Sequence, residues 1–281
     1  MQRPPPATGG RRVDLHAHTT YSDGALSPGD LVRLAIERQL AALAVTDHDS
    51  IDGLPAARET AGRELELVPG IEVSSTLNGL DLHILGYYID PENDELRRRL
   101  ESFRVERLER VREMAVRLGA LGAPVDVGEV VSLAGHGVVG RPHLAEVLVR
   151  AGHADDADDA FRRYLGSRGV AFVPRPAFRP DEAIALVHAA GGVSVLAHPG
   201  PGLVDSVVEA LVARGLRGIE AWHPQHSPAT VRRYEALAER LGVLVTGGSD
   251  FHGPGRSAEL GELAVPVRVM GPLKHAAGVA G

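Results

Sequence analysis

The sequence predicts an α/β protein built from strand–helix units, interrupted by a long helical segment, with its chemistry gathered at the ends of its strands. Three observations lead there. Short apolar runs alternate with helix-patterned stretches before residue 90 and again after residue 181, which is the rhythm of βα units with parallel strands, either closed or doubly wound. Between those two parts the helical period dominates, as expected of an inserted all-helical segment. The apolar runs also end in, or carry, His, Asp or Glu. Parallel α/β folds place functional residues at the carboxyl ends of their strands, so a shared position along the strands implies a shared place in space.

Taken in order, VDLHAHTTYSDG (13–24) reads as a short strand running into a loop. Residues two apart on a strand point the same way, so His16 and His18 project together. With Asp23 five residues on, they make half a shell for a divalent metal. A lone histidine at a strand end is more often a surface residue, so the pattern gains weight only if later strands supply partners. SPGDLVRLAIERQL then carries a Ser-Pro helix start and helical apolar spacing. AALAVTDHDSIDG is a buried strand ending at His48, between Asp47 and Asp49. After a second helix (PAARETAGREL), LELVPGIEVSS reads as a third strand with Glu72 just beyond a Pro-Gly turn, and LDLHILGYYI as a fourth with His83 in its middle.

Residues 92–121 are rich in Arg, Glu and Leu and predict one long amphipathic helix with many i,i+4 ion pairs. Shorter helices are expected near 126–134, 141–151 and 155–165, with VAFVPRPAFRP as the returning linker. The expected organisation is therefore a body of residues 11–90 and 179–281, a helical insertion or cap over 91–178, and a flexible leader over 1–10. The Asp155–Asp159 cluster reads as a solvated helix start. From Asp181 the strand–helix rhythm resumes: VSVLAHPG ends at His198, GIEAWHP carries Glu220 and His223 with His226 beyond, and VLVTGGSDFHG ends at Asp250 and His252. ELAVPVRV reads as a last strand or an edge segment.

Composition bounds the function. The chain has 281 residues, 44% hydrophobic and 24% charged, enough to bury a substantial core. Zero cysteines remove disulfides, thiolate metal sites and cysteine nucleophiles, and Lys274 is the sole lysine, which leaves little room for a catalytic one. A net charge of −7 with 4% aromatics does not suit a protein that grips long double-stranded nucleic acid. No apolar run approaches a membrane span and the first residues lack the apolar stretch of a signal peptide, so a cytoplasmic protein away from membranes is expected. The sequence does not fix the oligomeric state.

HAHTTYSDG, TDHDSIDG, PGIEVSS, DLHILGY, LAHPG and GSDFHG, in this order, resemble the metal-binding motifs of the polymerase and histidinol phosphatase (PHP) superfamily. The resemblance covers both α/β parts and implies a distorted (β/α)7 barrel holding two or three divalent ions, Mn, Fe or Zn. Carried over position by position, it implies one ion on His16, His18, Glu72 and Asp250, a second on Glu72, His83 and His198 with Glu72 bridging, and a third on Asp23, His48 and His252. Some members carry His where this chain has Asp23, a harder oxygen ligand. VVGRPHLAEVLV and FRRYLGSRGVAFVP further resemble the subgroup that dephosphorylates nucleoside 3′,5′-bisphosphates or trims short 5′-phosphorylated RNA.

The expectation is thus a metal-dependent phosphoric ester hydrolase that releases the 3′-phosphate of a nucleoside 3′,5′-bisphosphate with metal-activated water. The alternatives are a 5′→3′ exoribonuclease on short oligonucleotides, a histidinol phosphate or phosphotyrosine phosphatase, and a non-enzymatic metal-binding module serving a partner. Glu72 is the candidate bridging residue and His223 the candidate proton donor, a satisfied surface histidine being its alternative. Arg141 and His143, in GRPH at a predicted helix start, are candidates for binding substrate phosphate, with a structural ion pair as the alternative for Arg141. Arg175 and Arg179 are weaker candidates in a chain rich in arginine.

Overall fold

The structure is a computed structural model that describes residues 12–135, 137–256 and 258–279; the expected leader, residues 1–10, lies outside them. Seven strands lie side by side in chain order: β1 (Val13–Asp14), β2 (Ala42–Val45), β3 (Glu66–Leu77), β4 (Leu80–Tyr87), β5 (Val193–Leu196), β6 (Gly218–Trp222) and β7 (Leu244–Gly247). Beyond the strand ends, the Leu15 amide donates to the Gly247 carbonyl at 3.2 Å and the His18 amide to the Phe251 carbonyl at 2.9 Å. These bonds bring the first and last strands together, so the sheet curls into the distorted seven-stranded barrel expected from the sequence.

Ten helices accompany the strands among the described residues: α1 (Pro28–Glu37), α2 (Leu54–Ala61), α3 (Asp94–Ala120), α4 (Val127–Ala134), α5 (Arg141–Arg150), α6 (Ala157–Ala160), α7 (Pro180–Ala189), α8 (Asp205–Val212), α9 (Pro228–Leu241) and α10 (Met270–Ala276). Helix starts follow capping chemistry. Ser27 accepts from the Asp30 amide and Ser227 from the Thr230 amide, each with proline at the first helical position. None of the helices is long and apolar enough to cross a membrane.

Side-chain alternation divides the apolar residues into layers. Val13, Leu15, Ala42, Ala44, Val68, Leu85, Tyr87 and Val195 pack with Met270 and Leu273 of α10, forming the core enclosed by the sheet. Leu43, Val45, Ile71, Val73, Ile84 and Ile219 face the other way, against the helices that wrap the barrel. A third cluster, including Val111, Met114, Leu118, Val130, Leu144 and Leu148, belongs to the helical segment alone. Leu96, Leu100 and Phe103, at the start of α3, pack instead with the barrel's outer layer. Helix α3 therefore spans both bodies of apolar packing and ties the helical segment to the barrel.

Several expectations need correction. The strands are not uniformly parallel: β4 runs antiparallel to both β3 and β5. Asn78 and Gly79, with φ of 51° and 82°, link β3 to β4. Two positive-φ residues in a two-residue loop favour a hairpin whose twist matches its strands, so the Asn-Gly pair dictates the reversal. Pro69 and Gly70 form no turn but lie within β3. A Cβ on Gly70 would sit 3.0 Å from the Val45 carbonyl oxygen and 3.1 Å from that of Gly86, so the glycine serves close strand packing. ELAVPVRV is an edge segment, the second of its two readings, and no strand: Pro266 bridges Arg12, the Val13 amide donates to the Val265 carbonyl at 3.1 Å, and Val267–Val269 form a 3-10 turn leading into α10. Proline lacks the amide a ladder requires. In the helical segment, Phe161–Leu165 adopt a π-helical turn, and Asp159 is buried and paired with Arg162 and Arg163, where a solvated helix start was expected.

Barrel closure rests on close backbone contact at Gly248, where an added Cβ would lie 2.4 Å from the amide nitrogen and the Cβ of His16. Gly248→Ala is expected to destabilise by ~1–3 kcal/mol through overpacking, read as a melting temperature several degrees below that of the wild type. Gly202→Ala, where nothing lies within 4 Å of the new methyl, is expected to melt with the wild type.

Candidate metal centre

The strands deliver their polar residues to one end of the barrel. His16 and His18 follow β1, His48 follows β2, Glu72 and His83 lie within β3 and β4, His198 follows β5, and Asp250 and His252 follow β7. His198 and Asp250 hold left-handed backbone conformations, φ 25° and 50°. For residues other than glycine this costs energy and persists only where surrounding structure enforces it.

Glu72 stands at the middle, fully buried. Its Oε1 lies 2.7 Å from His83 Nδ1 and 3.0 Å from His198 Nε2. Its Oε2 lies 3.0 Å from His48 Nδ1, 3.2 Å from His16 Nε2 and 3.3 Å from His18 Nε2. Asp250 Oδ1 lies 3.1 Å from His18 Nε2 and 3.3 Å from His16 Nε2. Asp23 reaches His252 Nε2 at 3.2 Å. Ligand atoms form three groups, each within 4.8 Å: His16, His18, Glu72 and Asp250; His18, Asp23, His48 and His252; and His48, Glu72 and His83.

The details fit cations better than a hydrogen-bonded cluster. His48 Nδ1 and Asp23 Oδ1 are buried without a hydrogen-bond partner, although Glu72 Oε2 and His252 Nε2 lie close by. Buried polar atoms left in this way are what a bound cation would satisfy. The histidine and carboxylate donor set suits Zn, Mn or Fe.

Protonation follows the same crowding. Burial opposes charge throughout, yet hydrogen bonds to Asp250 and Glu72 lift His18 to about 10, and the charges of Glu220, Glu72 and Asp250 lift His16. Glu72 and Asp250 are held well below the carboxylate range despite burial, by the imidazoles around them. His48 is the exception: burial outweighs Glu72 and pulls it down to about 4.

Several residues without a role in the sequence reading hold this arrangement. Asp14 accepts from the amides of His16, Ser249 and Gly261, clamping the ends of β1 and β7 together. Asp47 accepts from the amide and hydroxyl of Thr19 and the hydroxyl of Ser22, fixing the loop that carries Asp23. Glu220 accepts from His16 Nδ1 and the His198 amide. The available signal was a single carboxylate inside an apolar strand, as in VDLH and GIEAW.

His223 is buried, with Nδ1 accepting from the Gln225 amide at 3.3 Å and Nε2 3.4 Å from Asp250 Oδ2. It is satisfied, as in the alternative reading, but buried and not at the surface. His143 Nδ1 accepts from the Gly140 amide at 3.1 Å, which leaves its proton on Nε2.

A shelf of arginines adjoins the centre. Along β3, Glu72, Ser74 and Thr76 alternate onto one face, with His83 opposite Ser74 and Asp81 opposite Thr76 on β4. Arg107 from α3 reaches Ser74 Oγ at 3.2 Å and Asp49 Oδ2 at 3.0 Å. Arg175 lies 3.9 Å from Asp49, and Arg141 lies 3.8 Å from Asp81 and donates to the Leu165 carbonyl. Arg110 donates to the Val173 carbonyl. Burial and mutual repulsion pull Arg110 down to about 9 and Arg175 to about 10. Arg179 stands apart on the surface with Asp181. Arg107 and Arg110 went unnoticed in sequence because α3 is studded with arginines that face solvent.

Residues 14–118 match the model of the PHP domain family. The 5′-3′ exoribonuclease Rnm of Salmonella typhimurium is 37% identical over 92% of this chain and 91% of its own length. The 3′,5′-nucleoside bisphosphate phosphatase of Chromobacterium violaceum is 36% identical over 86% of this chain and 88% of its own. A crystal structure of a candidate metal-dependent phosphoesterase from Bifidobacterium adolescentis superposes with a TM-score of 0.88 at 32% identity, covering 97% of this chain and 98% of that one.

Because every imidazole group of the centre meets Glu72 directly or through Asp250, Glu72→Ala is expected to strip the protein of divalent ions. Elemental analysis after metal-replete preparation and desalting should show under a tenth of the wild-type content, with the far-ultraviolet spectrum unchanged. Wild-type metal content in the folded variant would refute the bridging position.

Proposed function

The chain belongs to the PHP-domain family of metal-dependent phosphoesterases, and we propose that within it this protein releases the 3′-phosphate of nucleoside 3′,5′-bisphosphates. The observation that carries this reading is the arginine shelf one strand step from Glu72, about 6.6 Å along β3 at the usual rise per residue. The shelf sets four guanidinium groups, Arg107, Arg110, Arg141 and Arg175, against Asp49 and Asp81, while the neighbouring Glu106 is paired with a further arginine, Arg99. Such a surplus of positive charge is stabilised by a bound anion, and guanidinium is the side chain suited to holding phosphate. A substrate with two phosphates a ribose apart would place one at Glu72 and the other on the shelf.

In this reading His16, His18, Glu72 and Asp250 hold one divalent ion, Glu72, His83 and His198 a second, and Asp23, His48 and His252 a third. Bound there, such ions supply Lewis acidity toward phosphate oxygens and a nucleophilic water at neutral pH. The chain's own groups do the rest. Glu72 fixes the spacing of the ligands, and Arg141 and Arg175 orient the second phosphate. His223, whose Nδ1 accepts from the Gln225 amide, carries its one proton on Nε2 and offers that N–H as a hydrogen bond to the leaving oxygen, which takes its proton from water. His143, at the head of α5, offers Nε2–H to substrate.

The Salmonella relative's name favours a second reading, 5′→3′ trimming of short 5′-phosphorylated RNA. The same shelf would then hold the terminal 5′-phosphate while the centre cuts the adjoining diester. A panel of 3′,5′-bisphosphonucleotides, mononucleotides, histidinol phosphate and short RNA, assayed with Mn²⁺, separates the two.

Arg141 distinguishes a gripping role from a structural one. Loss of a charge-assisted contact costs ~1.5–3 kcal/mol, so Arg141→Ala is expected to lower kcat/KM for a nucleoside 3′,5′-bisphosphate by roughly one to two decades. An aryl phosphate monoester, with nothing to place on the shelf, should be nearly unaffected. Equal losses on both would assign Arg141 to structure.

A further inference from the structure

Glu220 is fully buried in the middle of β6, between Gly218 and Trp222 on a strand that is otherwise apolar. Among the described residues it pairs with no arginine or lysine; its ion-pair partner is His16. A buried carboxylate without such a partner is costly to desolvate, and an apolar residue would pack the strand better. What Glu220 does have is hydrogen bonds to two residues of the metal centre. Its carboxylate lies 3.0 and 3.2 Å from His16 Nδ1, and Oε2 accepts from the His198 amide at 2.7 Å.

We propose that Glu220 is a positioning residue whose single carboxylate orients His16 and His198, ligands of two neighbouring cation positions. The inference rests on the metal-centre reading above. For His16 the effect is tautomeric. With the Nδ1 proton donated to Glu220, the Nε2 lone pair is free, and Nε2 lies toward Glu72 Oε2 and Asp250 Oδ1 at 3.2 and 3.3 Å. For His198 the effect is conformational. Its backbone at φ 25° is strained, and the hydrogen bond its amide donates to Glu220 holds that conformer, from which the ring brings Nε2 within 3.0 Å of Glu72 Oε1. Both imidazoles thus converge on opposite oxygens of Glu72, and Glu220 sets their separation from behind.

The test uses the full chain and Mn²⁺. Wild type, Glu220→Gln and Glu220→Asp are stripped with chelator, and Mn²⁺ affinity is measured by competition with a fluorescent chelator. Melting of each stripped protein is recorded alongside. Glutamine keeps the shape of glutamate but presents a neutral amide; aspartate keeps the charge but draws it back. Both are expected to bind Mn²⁺ about ten- to a hundredfold more weakly while the stripped proteins melt like the wild type. A downfield imidazole N–H proton resonance, protected by the Glu220 bond, should be present in the wild type and absent from Glu220→Gln. Wild-type Mn²⁺ affinity in either variant would overturn the inference, as would affinity losses that track an equal loss of stripped-state stability. If the wild type itself binds no Mn²⁺, the metal-centre reading fails and this inference falls with it.

Discussion

A buried carboxylate faced by five imidazoles is the constraint on which the rest of this structure depends. Glu72 lies within contact distance of His16, His18, His48, His83 and His198, contributed by four different strands or strand ends. An ionised carboxylate out of water is costly unless compensated, and neutral imidazoles compensate poorly because each has one proton to give. Divalent cations resolve the conflict: they satisfy the carboxylates and accept the imidazole lone pairs together. The same carboxylates lift His16 and His18 against their burial.

That arrangement imposes conditions on the barrel. The five imidazoles converge only if the sheet curls until β1 meets β7, which the Gly248 contact and the Asp14 clamp secure. The β3–β4 hairpin has a related consequence. Because β4 runs backwards, His83 enters from within a strand rather than from its end, directly across from Ser74. The same hairpin carries the face onward to Thr76 and Asp81, where α3 and α5 bring their arginines. One twelve-residue strand, β3, therefore joins the metal centre to the shelf that the helical segment completes.

The α/β rhythm, the helical interruption and the residues that gather at the centre were legible in the sequence, because strand ends announce themselves by an abrupt change from apolar to polar residues. The Asn78-Gly79 hairpin was legible too but lay masked by the βα rhythm around it. Pro69-Gly70 misled for a physical reason: glycine marks close backbone approach as readily as a turn, and only the neighbouring strands, Val45 and Gly86, tell the two apart. Glu220, Asp14 and Arg107 were out of reach because their roles depend on partners far away in the chain. Glu220 bonds to His16 across 204 positions and Asp14 to Gly261 across 247. Nothing in a single strand reveals which distant group its carboxylate will meet.

The central claim is that this cluster exists to hold cations on both sides of Glu72. Anomalous scattering from crystals grown with Mn²⁺, collected at a wavelength where manganese contributes strongly, tests it most directly. The account predicts at least two peaks within coordinating distance of the Glu72 carboxylate, one toward His16, His18 and Asp250 and one toward His83 and His198. Well-ordered side chains with no anomalous density beside Glu72 would contradict it.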